Sequence, residues 1–305
     1  MEKPFVLVGL SPALGRVITM DRLQPGEVNR AGSYLEVAAG KATNTARVLR
    51  ELGQRVILVS PLGDENHAHF RSLAAVDNVE MDPVLYPGRV RWALTLVDDN
   101  SSTEIVVGEP EPIPGDIAPL IVERVRSHLP GAPACVVAGS RPPNIPVSVI
   151  AAIAGAARDA GVPLFLDIRG EDLLEALAAG KGAPVVVKIN EEEYRETVAR
   201  AGLPGPGCEL RVPEDLSPFV ERFSCTLVIT RGSAPVLFAD SMGRSGMVPI
   251  PPVKARNPIG SGDTALATLA LRFVQGIALP KAVEEAVQRA SRNAEFLKPG
   301  TTTGP

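Results

Sequence analysis

Short apolar runs separated by helix-length segments constrain the fold of this chain more than any other feature of its sequence. Phe5 to Leu10, Val56 to Ser60, Ala134 to Ala138, Pro163 to Asp167, Val185 to Lys188 and Thr226 to Thr230 each have the length and aliphatic content of a strand buried on both faces. Between them, Lys41 to Leu52 (closed by Gly53), Asp116 to Leu129, Val147 to Ala160, Glu171 to Ala179 and Glu191 to Ala201 carry helical patterns. Strands that alternate with helices are joined by crossovers and run parallel. The expectation is an α/β fold, a mainly parallel sheet with helices on both faces.

Two regions break the rhythm. Arg16 to Val37 and Arg89 to Val107 are β-compatible but are interrupted by turn chemistry, Gln24-Pro25-Gly26 in the first and Asp98-Asp99-Asn100-Ser101 in the second. Both read as hairpins, which do not join a parallel sheet easily, so they are expected to pair with each other into a small projecting sheet that acts as a lid. The organisation predicted is one domain over residues 1–305, with the β lid formed by 12–37 and 88–108. Further strands are expected at Pro235 to Ala239 and Met247 to Ile250. Two long helices follow, Ser261 to Gln275 and Pro280 to Phe296, the first apolar on nearly every side and therefore buried.

Charge and cysteine usage narrow the function. A formal net charge of −4 with no run of Lys or Arg gives no electrostatic footprint for nucleic acid or for an anionic membrane, which leaves small molecules as the expected partners. No apolar stretch reaches the roughly 18–20 residues that span a bilayer, and Met1 to Gly9 lacks the layout of a signal peptide, so a cytoplasmic location is expected. Cys135, Cys208 and Cys225 are too widely spaced for a disulfide framework or a CxxC metal site; Cys135 and Cys225 read as thiols of strand cores. His67 and His69, two apart in a polar helical stretch, read as surface groups.

Chemistry concentrates in Asn257-Pro258-Ile259-Gly260-Ser261-Gly262-Asp263-Thr264, a glycine-rich turn that runs straight into the apolar helix. A helix start presents unpaired N–H groups and about half a positive charge, and such a place binds anions. A carboxylate in the first helical turn, beside that anion site, can take the proton of a hydroxyl as the hydroxyl attacks a phosphoryl group. Asp263 fits that base role, although a turn with a capping aspartate would look the same in isolation. No GxxxxGK[ST] occurs, which argues against a P-loop nucleoside triphosphatase.

This loop resembles the C-terminal signature N-x-V-G-A-G-D of the phosphofructokinase-B family, a branch of the ribokinase-like sugar kinases; Gly260, Gly262 and Asp263 match and Ser261 replaces an alanine. The N-terminal half agrees: Leu10-Ser11-Pro12-Ala13-Leu14, Leu23-Gln24-Pro25-Gly26-Glu27-Val28-Asn29-Arg30 and Gly40-Lys41-Ala42-Thr43-Asn44-Thr45-Ala46-Arg47 are similar to the opening of 1-phosphofructokinases and tagatose-6-phosphate kinases. The resemblance covers essentially the whole chain. It implies that Asp263 is the base and that the N–H groups of Gly260, Ser261 and Gly262 hold the transferred phosphoryl of ATP. It also implies that Gly40, Lys41, Asn44, Ser140, Arg89 and Arg91 bind the acceptor, Lys41 through a substrate phosphate. Lys188, Asn190 and Glu193, from a stretch resembling Lys-Pro-Asn-x-x-Glu, would organise Mg²⁺ and the nucleotide phosphates, with Glu193 towards the metal, and Thr230 and Gly232 would border the nucleotide. Family members often pair through their lids, so a homodimer is implied.

Departures bear on the acceptor. Gly15 stands where the family supplies an aspartate to sugar hydroxyls, Ala39 and Ala42 replace two glycines beside Lys41, and Pro235 replaces a glycine near the nucleotide. The leading expectation is an ATP-dependent kinase of a sugar phosphate, such as fructose 1-phosphate or tagatose 6-phosphate. A kinase of an unphosphorylated sugar, nucleoside or other polyol remains open, as does a nucleotide- or metabolite-binding regulator that has lost turnover.

Overall fold

The computed structural model describes residues 3–99, 101–108, 112–204 and 210–303, so Asn100 of the second hairpin and Cys208 lie outside the described residues. The chain opens with β1 (Phe5–Val8), β2 (Ala13–Thr19), β3 (Ser33–Ala39), α1 (Lys41–Glu51), β4 (Val56–Gly63), α2 (His67–Val76), β5 (Glu80–Tyr86), β6 (Arg91–Val97) and β7 (Ser102–Val106). It continues through α3 (Ala118–His128), β8 (Cys135–Ala138), α4 (Ser148–Asp159), β9 (Leu164–Asp167), α5 (Gly170–Ala179), β10 (Val185–Asn190), α6 (Glu191–Arg200) and α7 (Ser217–Phe223). Last come β11 (Thr226–Arg231), β12 (Ala234–Asp240), β13 (Ser245–Val248), α8 (Ser261–Val274) and α9 (Leu279–Asn293).

The apolar runs assemble as expected. Among the described residues they form a nine-stranded sheet in the order β13-β12-β11-β10-β9-β8-β1-β4-β5. Neighbours from β11 to β5 pair in parallel, and β12 alone runs against β11 and β13. Both faces of the central strands are apolar because both are covered. Val6 and Val8 join the core beneath α3, α4, α5, α6 and α7, whereas Phe5 and Leu7 join the core beneath α1, α2 and α8. Each such side chain, fully buried, contributes about 1.5–3 kcal/mol. Cys135 sits in the first of these cores, and burial pushes its thiol up to about 12.

The two hairpins do pair with each other. β2 and β3 are antiparallel, β6 and β7 are antiparallel, and β2 runs parallel to β6 in the register Ala13↔Arg91 to Thr19↔Val97, giving a second sheet in the order β3-β2-β6-β7. Only the turn Gly9–Pro12 separates β1 from β2, so this sheet rises from the carboxyl end of β1, a strand flanked by β8 and β4 in the large one.

Several expectations shift. β13 lies two residues before Met247–Ile250, and α9 ends at Asn293 rather than Phe296 because the chain there turns back along the start of α8. β5 is invisible to alternation since it contains Asp82 and Pro83; its place at the sheet edge makes both acceptable. The last turn of α8 is half-exposed at Phe273 and Val274, with Phe273 edge-on to Phe165, while the helix up to Leu271 is buried between the sheet, α1 and α9. Among the described residues no helix is long and apolar enough to cross a membrane.

Candidate active site

The carboxyl ends of β8, β9, β10 and β11 open into a cleft of about 670 Å³, roofed by the small sheet and bordered by the starts of α1 and α8. Crevices at strand carboxyl ends are where parallel sheets bind ligands, since the loops there are free of sheet pairing.

The glycine-rich loop forms the wall at α8. Gly260 caps the helix in the left-handed region (φ +85°), and a Cβ there would lie 2.4 Å from the backbone nitrogen of Gly300. Glycine is therefore demanded twice, by conformation and by close approach. The Thr264 hydroxyl donates to the Gly260 carbonyl at 2.8 Å and tightens the first turn. The Ser261 N–H is spent on the Pro258 carbonyl (3.2 Å), and its hydroxyl accepts from Asn293 Nδ2, also at 3.2 Å. Ser261 thus departs from the expected role: its N–H closes the turn, whereas the N–H groups of Gly262 and Asp263 make no backbone hydrogen bond among the described residues. The N–H groups without a backbone partner at this helix start therefore lie one residue further towards Asp263 than expected.

Asp263 lines the cleft yet is only 6% exposed. Its Oδ2 accepts from Asn44 Nδ2 of α1 at 2.8 Å. Burial first, and the negative charge of Asp167 second, push its carboxyl up to about 6 against the pull of Lys188, Asn44 and Lys41. A carboxylate tuned in this way is ionised at neutral pH and remains a competent proton acceptor.

Beside it stands an ion-pair relay that sequence reasoning did not assemble. Asp167, the last residue of β9 and wholly buried, accepts from Lys41 Nζ at 2.7 Å and from Lys188 Nζ at 2.5 Å. Burial acts to raise its pKa, but the two ammonium groups outweigh burial and hold the carboxyl below its usual range. Lys41, at the first position of α1 after Gly40 (φ +113°), donates also to Glu193 Oε1 at 3.0 Å. Burial pulls its pKa down, and the Asp167 and Glu193 charges overcome this to hold the ammonium well above its normal range. Lys41 therefore reaches the cleft already neutralised by two carboxylates, which qualifies its expected pairing with a substrate phosphate. Lys188 lies against the backbone of Gly262, where an added Cβ would come within 2.8 Å of Nζ.

Asn190 and Glu193 form a reciprocal cap at the start of α6: Asn190 Oδ1 accepts from the Glu193 N–H at 2.8 Å and Glu193 Oε2 accepts from the Asn190 N–H at 2.9 Å. Both also line the cleft, as do Gly40, Ser140, Thr230 and Arg91. Arg89 does not. Alternation along β6 turns Arg91, Ala93 and Thr95 to the cleft, while Arg89, in the turn before the strand, pairs with Glu65 at 2.6 Å in solvent. Gly232 likewise lies outside the cleft wall, in the β11–β12 turn, where its φ of +62° explains the glycine.

Asp167 could have been suspected from a charge closing an otherwise apolar run. Pro299, which also borders the cleft, carried no local signal, because only the fold returns the chain end to the glycine loop.

The sequence and the fold of this chain have clear relatives. The sequence matches the pfkB family carbohydrate kinase description over residues 9–301. It is 31% identical to the 1-phosphofructokinase of Xanthomonas campestris over 281 residues, covering 88% of this chain and 84% of that one. With the ATP-dependent 6-phosphofructokinase isozyme 2 of Escherichia coli it shares 26% identity over 298 residues, 96% of this chain and 92% of the other. The solved phosphofructokinase-2 of Escherichia coli in complex with potassium superposes with a TM-score of 0.84 at 24% identity, covering 96% of this chain and 93% of that one, a likeness of fold. By its sequence match across nearly the whole length, the chain belongs to the pfkB family of carbohydrate kinases.

Proposed function

We propose that this protein transfers the γ-phosphoryl group of ATP to a hydroxyl of a sugar phosphate. The observation that carries the reading is Asp263: a cleft-facing carboxylate with a raised pKa, one oxygen held by Asn44, set in the first turn of a helix whose start is made of glycines. As the acceptor oxygen bonds to phosphorus and the bond to ADP breaks, the hydroxyl proton passes to the Asp263 oxygen that Asn44 does not hold. The N–H groups of Gly262 and Asp263 and the Lys188 ammonium stabilise charge on the transferred group. Lys188, Asn190 and Thr230 form the nucleotide side of the cleft, and Ser140, Arg91, Asn44 and Gly40 the acceptor side.

The oxygen donors in the cleft suit Mg²⁺, which prefers such ligands and keeps several waters. Asp167, Asn190 and Glu193 would hold it largely through water, since both carboxylates already serve lysines. When bound, it would neutralise the polyphosphate. The small sheet acts as the lid, and its closure excludes water that would otherwise take the phosphoryl group. Its outer face exposes Tyr34 and Ile105, an apolar surface that a second copy of the chain would cover in a homodimer. A cytoplasmic location accords with these small, soluble substrates.

A second reading, an acceptor poorer in hydroxyls or lacking phosphate, is favoured by the cleft face of the lid. One row across its strands reads Val37, Gly15, Ala93, Val106, with no side-chain hydrogen-bonding group. A Cβ on Gly15 would lie 2.8 Å from both Ala39 Cβ and Val37 Cγ2, so Ala39 and Val37 occupy the room a polar side chain would need. The test is Mg²⁺-dependent ADP release from ATP across phosphorylated, free and deoxy sugars and nucleosides. Preference for a hexose phosphate supports the first reading, and preference for an uncharged acceptor supports the second.

A further inference from the structure

Among the described residues Arg47 is the largest fully buried side chain, 2% exposed, and its guanidinium joins Asn44 and Pro299 of the cleft wall to Ala38 of β3 and Asp77 at the end of α2. Nη1 donates to Asn44 Oδ1 at 2.9 Å and to the Pro299 carbonyl at 2.7 Å; Nη2 donates to the Ala38 carbonyl, and Nε to Asp77 Oδ2 at 2.6 Å. Asp77 is shared with Lys298, and burial, which would raise its pKa, is outweighed by these two cations. Helix α1 could be anchored more simply by an apolar side chain, for a buried ion pair often gains no stability over a hydrophobic replacement. The chemistry of the partners suggests what the guanidinium does that an apolar group cannot.

A guanidinium only donates, so the oxygen of the Asn44 amide must face Arg47. Its NH₂ must then face the other way, towards Asp263, to which it donates at 2.8 Å. Rotating the amide by half a turn would set NH₂ against guanidinium and carbonyl against carboxylate, two repulsions in a buried place. The remaining bonds fix the frame around this contact. Ala38 belongs to β3, the lid strand that leads into α1, and Pro299 packs behind Gly260, where its Cα would lie 3.1 Å from an added Cβ.

We propose that Arg47 is a positioning residue for the base: it locks the Asn44 amide in the orientation that donates to Asp263 and ties that orientation to the lid strand and the glycine loop. The proposal rests on the reading of Asp263 as base, and it adds that Arg47 acts through Asn44 without touching substrate.

The test is a double-mutant cycle. Arg47→Lys and Arg47→Gln, each alone and each combined with Asn44→Ala, are assayed for kcat, KM for ATP and thermal melting, alongside Asp263→Asn. Arg47→Gln is included because it keeps a neutral donor where lysine has a single charged one. A misplaced reacting group costs up to about 100-fold in rate, so a kcat loss of roughly tenfold or more per folded molecule is expected, with KM for ATP within about twofold. Adding either Arg47 substitution to Asn44→Ala should then cost little more. Losses that multiply in the double variants, or wild-type kcat in Arg47 variants that have lost only melting temperature, would overturn the proposal. Full turnover by Asp263→Asn would instead remove the base reading, whatever the Arg47–Asn44 coupling proved to be.

Discussion

Asp263 is asked to be buried, near another carboxylate, and still ionised when a hydroxyl arrives. With its carboxyl pushed up to about 6, the acid limb of kcat/KM is expected to have its midpoint near pH 6, measurable from initial rates between pH 5 and 8. The same shift acts on stability with the opposite sign. An acid whose folded pKa lies above its ordinary 3.8 disfavours the folded state once ionised, so the penalty is absent below pH 3.8 and complete above about pH 6. Asp263→Asn should therefore stabilise the ligand-free protein at pH 8 by up to about 3 kcal/mol and hardly at all at pH 4, as read by denaturant melts at the two pH values. The loop glycines act through different neighbours. Gly262→Ala meets Lys188 Nζ and pushes it off the wholly buried Asp167 carboxylate, so kcat should fall and denaturant melts should show a loss of up to about 3 kcal/mol, with Lys41 still pairing Asp167. Gly260→Ala meets backbone at a positive φ and should instead unfold the loop, costing more than about 2 kcal/mol.

At the scale of elements, the site depends on a strap that the chain end lays across the start of α8. Asn293, at the end of α9 and fully buried, donates to the Ile259 carbonyl at 3.0 Å and accepts from the N–H groups of Gly300 at 2.8 Å and Thr301 at 3.2 Å. Beyond it, the Thr302 N–H donates to Glu51 Oε2 of α1 at 2.8 Å. One amide thus joins the glycine loop to the chain end, and Asn293→Leu would leave several buried polar groups unmet. A loss of about 3 kcal/mol in denaturant unfolding is expected, with a rise in KM for ATP as the loop loosens. Elements also differ in how far the sequence reveals them. The strands under helices on both sides are continuous apolar runs and were legible, and so was the glycine-to-helix junction at Asp263. β5 was not, because an edge strand can carry Asp82 and Pro83 without loss. The strap was not either, because nothing in Phe296–Thr303 indicates what it touches.

For the whole molecule, the cleft is where two sheets of different origin meet, and its charges come from distant parts of the chain. Asp167 and its partners Lys41 and Lys188 are 126 and 21 residues apart in sequence, and no local pattern announces their meeting. Motif resemblance found the two lysines separately; only the parallel sheet, which brings the ends of β9 and β10 side by side, makes them a single relay. The outer face of the lid carries the expectation for assembly. If it is a dimer surface, Ile105→Glu should shift sedimentation from dimer to monomer and leave melting of the large core unchanged. The proposed reaction is phosphoryl transfer with Asp263 as the base. The most direct measurement is Mg²⁺-dependent ADP formation from ATP with a panel of sugar phosphates, comparing the wild-type protein with Asp263→Asn at pH 8. Acceptor-dependent turnover is expected, falling by about 10²–10⁴-fold in the variant while ATP still binds. Turnover undiminished in Asp263→Asn, or no transfer to any acceptor by a folded protein that binds ATP, would contradict it.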